Sequence, residues 1–186
     1  MIMAGGKFGA EINLDAMGKL RAFQLGLHAA DQLNQVMIST ALAGGRHPLF
    51  HTIATIAFPL LYAVYLGVAG SACATATYLS RKRRADHNLI QLIDRMQTEL
   101  KGAQLAQRYM VEATGGAMSS QSVDDVMTGK RLMTEHAIRA VEYAMEAAGG
   151  AGFYRAQGLE RRFRDIQGAR YHVLQAGPQA EYAGAM

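Results

Sequence analysis

A few side chains in this sequence have types and spacing that invite a chemical reading. His47 and His51 stand four apart, the interval that places two imidazoles on one helix face for a metal. Pro48 starts a helix between them and no nearby carboxylate completes a ligand set, so no metal site is expected. Arg81-Lys82-Arg83-Arg84 and Arg161-Arg162-Phe163-Arg164 are basic runs of the kind that gain affinity for phosphate backbones through counterion release. They lack a helix-turn-helix, zinc-finger or aromatic-interleaved setting, and acidic residues are interspersed. They read as solvated faces with local salt bridges, with no nucleic-acid partner. Cys73 is the single cysteine, which excludes an internal disulfide and a Cys-rich zinc site. Its apolar surroundings mark it as a small buried residue of a reducing compartment.

These residues must be positioned by helices. At 186 residues the chain suffices for one domain with a real core. Half of it is apolar, alanine, methionine and glycine abound, and proline is scarce, which suits closely packed helices. The formal net charge of +4 implies no partner by itself. From Lys130 to Ala148 the spacing predicts an amphipathic helix. Met133, Ala137, Ala140, Ala144 and Ala147 form one stripe, widened by Val141 and Ala148. Lys130, Arg131, Glu135, Arg139, Glu142 and Glu146 occupy most of the other face. Gly149-Gly150 ends the helix, because glycine adopts a left-handed cap without a Cβ penalty. Upstream, Leu89, Leu92, Ile93, Met96, Leu100, Ala103, Ala106 and Met110 recur at three and four, predicting a helix over 88–113. Gly115-Gly116 ends it. Ser122 and Asp125 have capping-box spacing, predicting a new helix from 123.

The run Thr52–Ser80 contains no charged side chain. By hydropathy alone it is a transmembrane candidate with a basic cytoplasmic flank, and Ala63, Gly67 and Ser71 form a small-residue ladder. The alternative is a central helix packed on all sides. Its tyrosine and threonine hydroxyls favour the second reading, and Pro59 is expected to disturb its first turns. Before it, 1–10 is glycine-rich, 14–38 reads as a helix or irregular leader, and 43–48 is a Gly/Pro linker. No signal-peptide pattern is visible at the start. Four principal helices, roughly 51–84, 88–113, 123–148 and 163–174, joined by short loops, predict an all-α, up-and-down four-helix bundle. The division expected is 1–43, a leader or remnant of a preceding domain, and 44–186, the bundle.

The run AMEAAGGAGFYRAQGLERRFRDIQGARYH resembles the end of the C-terminal helical domain of the acyl-CoA dehydrogenases. That family carries a helix with an inward lysine, a Gly-Gly-x-Gly-aromatic turn, a spacer and an Arg-Asp pair. Lys130, Gly149-Gly150-Ala151-Gly152-Phe153 and Arg164-Asp165 occur here in that order. The run HPLFHTIATIAFPLLYAVYLGVA resembles the start of the same domain, and the likeness extends over about residues 45–182.

The resemblance implies FAD as cofactor, an acyl-CoA thioester as substrate, and oxidation of a CH–CH bond. It also implies a soluble, cytoplasmic chain that assembles as a dimer or tetramer, or with a chain carrying the missing domains. Two further domains that hold most of the flavin and thioester pocket have no counterpart here. That marks the chain as a fragment, a split subunit or a degenerate copy, inactive alone; a non-catalytic oligomerisation module is the alternative. Counting from Gly67, Arg83 corresponds to the family's pyrophosphate-binding arginine. Glu146, where a glutamine is usual, and Gly149-Gly150 correspond to the residues near the adenosine part. The two positions where the family keeps its carboxylate base fall at Val173 and Ala57, and neither takes a proton. His172, beside the first, is the nearest substitute, although a lone histidine there is usually structural.

Overall fold

The computed structural model describes residues 48–83, 86–116, 119–172 and 175–184. The expected leader at 1–43, the helix at 14–38, the linker, His47 and Val173 lie outside the described residues. Within them the secondary structure is all helical. The long helices are α1 (Pro48–Ser80), α2 (His87–Ala113) and α3 (Ser120–Ala148). Shorter ones follow: α4 (Gly150–Phe153), α5 (Leu159–Ile166) and α6 (Ala176–Gly184). Tight 3₁₀ turns occupy Arg81–Arg83, Arg155–Gln157 and Gln167–Arg170.

Helix starts follow local hydrogen-bond chemistry. Asp86 caps α2, its Oδ1 accepting from the Asn88 and Leu89 amides. For α3 the cap is Ser119, not Ser122. The Ser119 hydroxyl accepts from the Ser122 amide at 3.1 Å, and Ser122 Oγ accepts from the Ser119 amide at 2.8 Å. The helix therefore begins three residues before the expected position, because serine at the third position reciprocates the cap. Asp125 is used elsewhere, accepting from Tyr109 on α2 at 2.7 Å.

Helix α3 is the hub, packed against α2, α1 and α5. The whole expected stripe of α3 is buried; of the α2 stripe, Leu89, Met96, Ala103, Ala106 and Met110 are buried and Leu92, Ile93 and Leu100 are half-buried. Each fully buried Met or Ile contributes about 1.5–3 kcal/mol. Helices α1 and α3 run parallel: Cys73 Sγ lies 3.9 Å from the Ala140 carbonyl, and seven residues on Ser80 Oγ donates to Ala147 at 3.1 Å. Ala72, Ala76 and Ala144 in this seam have no exposed surface, and their small size lets side chains of one helix reach the other's backbone. Helix α2 is antiparallel to α3, with Tyr109 near Asp125 and Glu99 near His136. Burial pushes the Cys73 thiol up to about 12, so it stays an inert core thiol.

Three expectations are corrected by the packing. Helix α1 is long and apolar enough to cross a membrane, but only a third (33%) of its most apolar window is buried within the chain. It is not covered on all sides: Ile56, Leu60, Val64 and Tyr78 are each at least half exposed. Pro59 leaves the helix continuous, and Gln107 Nε2 of α2 donates to the Pro59 carbonyl at 2.7 Å. The fourth element is not one helix over 163–174. It is the short α5, which fills that side against α1 and α3, followed by a 3₁₀ turn; α6 was not expected.

Candidate cofactor-binding site

Because α1 and α3 run parallel, their C-terminal ends lie side by side. Arg83, in the 3₁₀ turn after α1, therefore meets the end of α3. Its Nη2 donates to the Ala147 carbonyl at 2.5 Å, and Ser80 Oγ donates to the same oxygen. A guanidinium at a helix C-terminus faces the negative end of the peptide dipoles. Gly149 caps that end with φ +61°, a conformation that strains any residue with a Cβ. Arg83 Nη1 lies 3.6 Å from where that Cβ would stand, while Gly150 has open space beside it. Glu146 is exposed on the last turn of α3, and its carbonyl accepts from the Gly149 amide at 3.0 Å.

The structure thus brings Arg83, Gly149, Gly150 and the last turn holding Glu146 to one exposed corner. An exposed guanidinium with donors to spare, next to backbone without side chains, fits a phosphate-bearing group. Beyond the turn, Phe153 and Tyr154 are 77% and 67% exposed and meet edge to face. The second basic run is largely used internally. Arg162 Nε donates to Ser71 Oγ of α1 at 2.8 Å, and Arg161 pairs with Asp165 at 3.4 Å. The Arg164–Asp165 pair is looser, at 3.9 Å on the surface.

Of the residues considered for the base, Ala57 and His172 lie elsewhere. Ala57 is half-buried on α1. His172 packs edge-on against Tyr62 and Tyr65, with ring centroids 6.2 and 5.4 Å away. Burial, and then the nearby Lys130 charge, hold its imidazole below the ordinary histidine range. The Tyr62 hydroxyl donates to Ala169 at 2.8 Å and pins the 3₁₀ turn that leads to His172. Burial raises the proton affinity of both tyrosines.

Lys130 is the residue that periodicity misplaced. It falls on the polar face of α3 by spacing, yet it is 3% exposed. Its ammonium stands 5.2 Å from the Phe58 ring centre and 5.8 Å from that of Tyr62. Desolvation lowers its pKa to about 8. The inward lysine implied by the resemblance is thus the observed one. The rings around it, Phe58 and Tyr62, stand four apart on α1, and that helical spacing is the available signal. Nineteen residues of α3 separate Lys130 from Gly149, about 28 Å along the axis. Among the described residues no cluster of three or more His, Cys, Asp or Glu is placed to hold a metal.

No curated protein matches the chain. The family model described as acyl-CoA dehydrogenase, C-terminal domain, matches residues 60–176, from the middle of α1 to the start of α6. That match spans well over half of the sequence and includes the Gly-Gly turn, the inward lysine and the Arg-Asp pair, and the chain belongs to the acyl-CoA dehydrogenase family through this C-terminal helical domain.

Proposed function

We propose that the chain is the helical part of an FAD-linked oxidoreductase acting on acyl-CoA thioesters, inactive by itself, which presents Arg83 and the Gly149-Gly150 turn to the flavin's phosphate end. The observation that carries this is the seating of Arg83 on the end of α3, beside a glycine cap that leaves the backbone open. When bound, FAD supplies the acceptor for oxidation of a CH–CH bond. The chain's own part is to hold the cofactor: a guanidinium offers a charged donor fork, and glycines admit close approach. It does not bring a carboxylate to the reaction. Ala57 takes no proton, and His172 is engaged in an aromatic cluster about a helix length from the corner.

Titration of FAD against the chain, followed by flavin fluorescence, tests this. Arg83→Gln is expected to weaken binding about tenfold, the loss of one charge-assisted contact. Equal affinity in the variant overturns the assignment. In a dye-reduction assay with acyl-CoAs of several lengths, no turnover is expected. Turnover in wild type that disappears in His172→Ala would show the base to be present after all.

A second reading, an oligomerisation module, is favoured by the bare apolar face of α1 and is compatible with the first. Membrane insertion fits less well. Helix α1 lies along α2 and α3, which carry exposed Arg95, Lys101, Arg108, Arg139 and Glu142, and hydrocarbon around such a bundle would desolvate charges.

A further inference from the structure

Between α3, the 3₁₀ turn Gln167–Arg170 and α6 lies a cavity of about 290 Å³, at the lower end of the size of small-molecule sites. It is at the far end of α3 from the Arg83 corner. Its floor is apolar, from Ile138, Ala169 and Ala176. Its wall carries two exposed cations, Arg131 and Arg170, with the buried Lys130 behind them, against one carboxylate, Glu135. Arg131 and Arg170 are exposed, and neither has a hydrogen-bond or ion-pair partner among the described residues. The other polar groups are already committed: Thr134 Oγ1 donates to the Lys130 carbonyl at 2.8 Å, and Gln179 Nε2 donates to Met127 at 2.5 Å.

We propose that this cavity binds a small monocarboxylate with a short apolar tail, its carboxylate at the rim between Arg131 and Arg170 and its tail on Ile138, Ala169 and Ala176. Two guanidiniums with unspent donors can each grip a carboxylate through paired N–H bonds. The apolar floor selects an organic acid over inorganic phosphate, whose four oxygens would lie against groups that cannot solvate them. A bound anion also offsets the cost of the desolvated Lys130 ammonium behind the wall. The site does not depend on the flavin reading, because it shares no residue with the Arg83 corner.

The test is saturation-transfer NMR of hexanoate with the full chain, with hexanol and inorganic phosphate as parallel probes. Hexanoate is expected to bind with a Kd on the order of millimolar or tighter. Hexanol and phosphate are expected to be at least tenfold weaker. Arg131→Gln with Arg170→Gln should weaken hexanoate at least tenfold. Both arginines are surface residues, so the double variant keeps the fold, checked by its circular dichroism. No hexanoate binding, unchanged affinity in the double variant, or equal binding of hexanol or phosphate each overturns the proposal.

Discussion

Lys130 carries its ammonium into the interior against two aromatic rings, and that placement has a pH signature. An ordinary lysine titrates near 10.5, whereas burial lowers Lys130 to about 8. The native state thus prefers the neutral amine. Above 10.5 both folded and unfolded chains are neutral and the full contribution is present. As pH falls from 10.5 to 8 the unfolded chain takes the proton first, and stability is lost by up to about 3 kcal/mol. Cys73, Tyr62 and Tyr65 act in the opposite direction at alkaline pH, because burial raises their pKa values. The clean observable is therefore a difference. Stability of wild type minus Lys130→Met, from urea unfolding, is expected to rise between pH 8 and 10.5. A flat difference would place the lysine in a solvated position. Near pH 6.5 His172 adds a smaller slope of the same sign, since its folded pKa is also lowered.

At the scale of elements, the α2–α3 contact depends on absent side chains. Gly129 of α3 faces Met110 and the Ala106 carbonyl, and Gly102 of α2 faces the His136 ring. A Cβ on Gly102 would stand 2.8 Å from that ring, which is held at 2.6 Å from Glu99. Two effects compete in Gly102→Ala. Helix propensity favours alanine by about 0.5–1 kcal/mol, and overpacking costs about 1–3 kcal/mol. The clash is with the near side of a ring fixed by its contact with Glu99, so destabilisation is expected to win. In a His136→Ala background the clash is gone and the same substitution should stabilise. Stabilisation in both backgrounds, measured by urea unfolding, would show that the ring yields at little cost.

For the molecule as a whole, the bare face of α1 is the feature that matters. Ile56, Leu60 and Val64 recur every four residues on one side, with Tyr78 three turns beyond Gly67 and all of them at least half exposed. Contiguous apolar surface of this kind usually marks an interface. A second copy of the chain laid on it would explain why a charge-free helix is left uncovered by its own neighbours. Sedimentation at micromolar concentration is expected to show dimers or tetramers, and Leu60→Lys with Val64→Lys should give monomers. A wild-type monomer in detergent-free buffer would leave the face without this explanation, and pelleting with lipid vesicles would point to a bilayer instead.

The sequence alone was enough for the helical class and for the inner faces of α2 and α3. Apolar and charged residues alternate there with the helical period, and that contrast maps directly onto burial. It was also enough for the stop at Gly149, where only glycine adopts the backbone conformation without strain. Helix α1 gave no such contrast, because nearly every side chain is apolar; which side faces solvent depends on where α2 and α3 lie. The same reason hid Lys130: periodicity gives a direction around a helix, but the rings that cover that direction come from α1, sixty-eight residues earlier at Tyr62. The breaking of the last helix was equally non-local. Tyr62 takes the Ala169 carbonyl and the Tyr65 hydroxyl lies 3.0 Å from a would-be Cβ on Gly168, so a tight turn is held where the local pattern reads as regular helix. Arg83 and Gly149 are sixty-six residues apart, and only the parallel packing of α1 and α3 makes them neighbours.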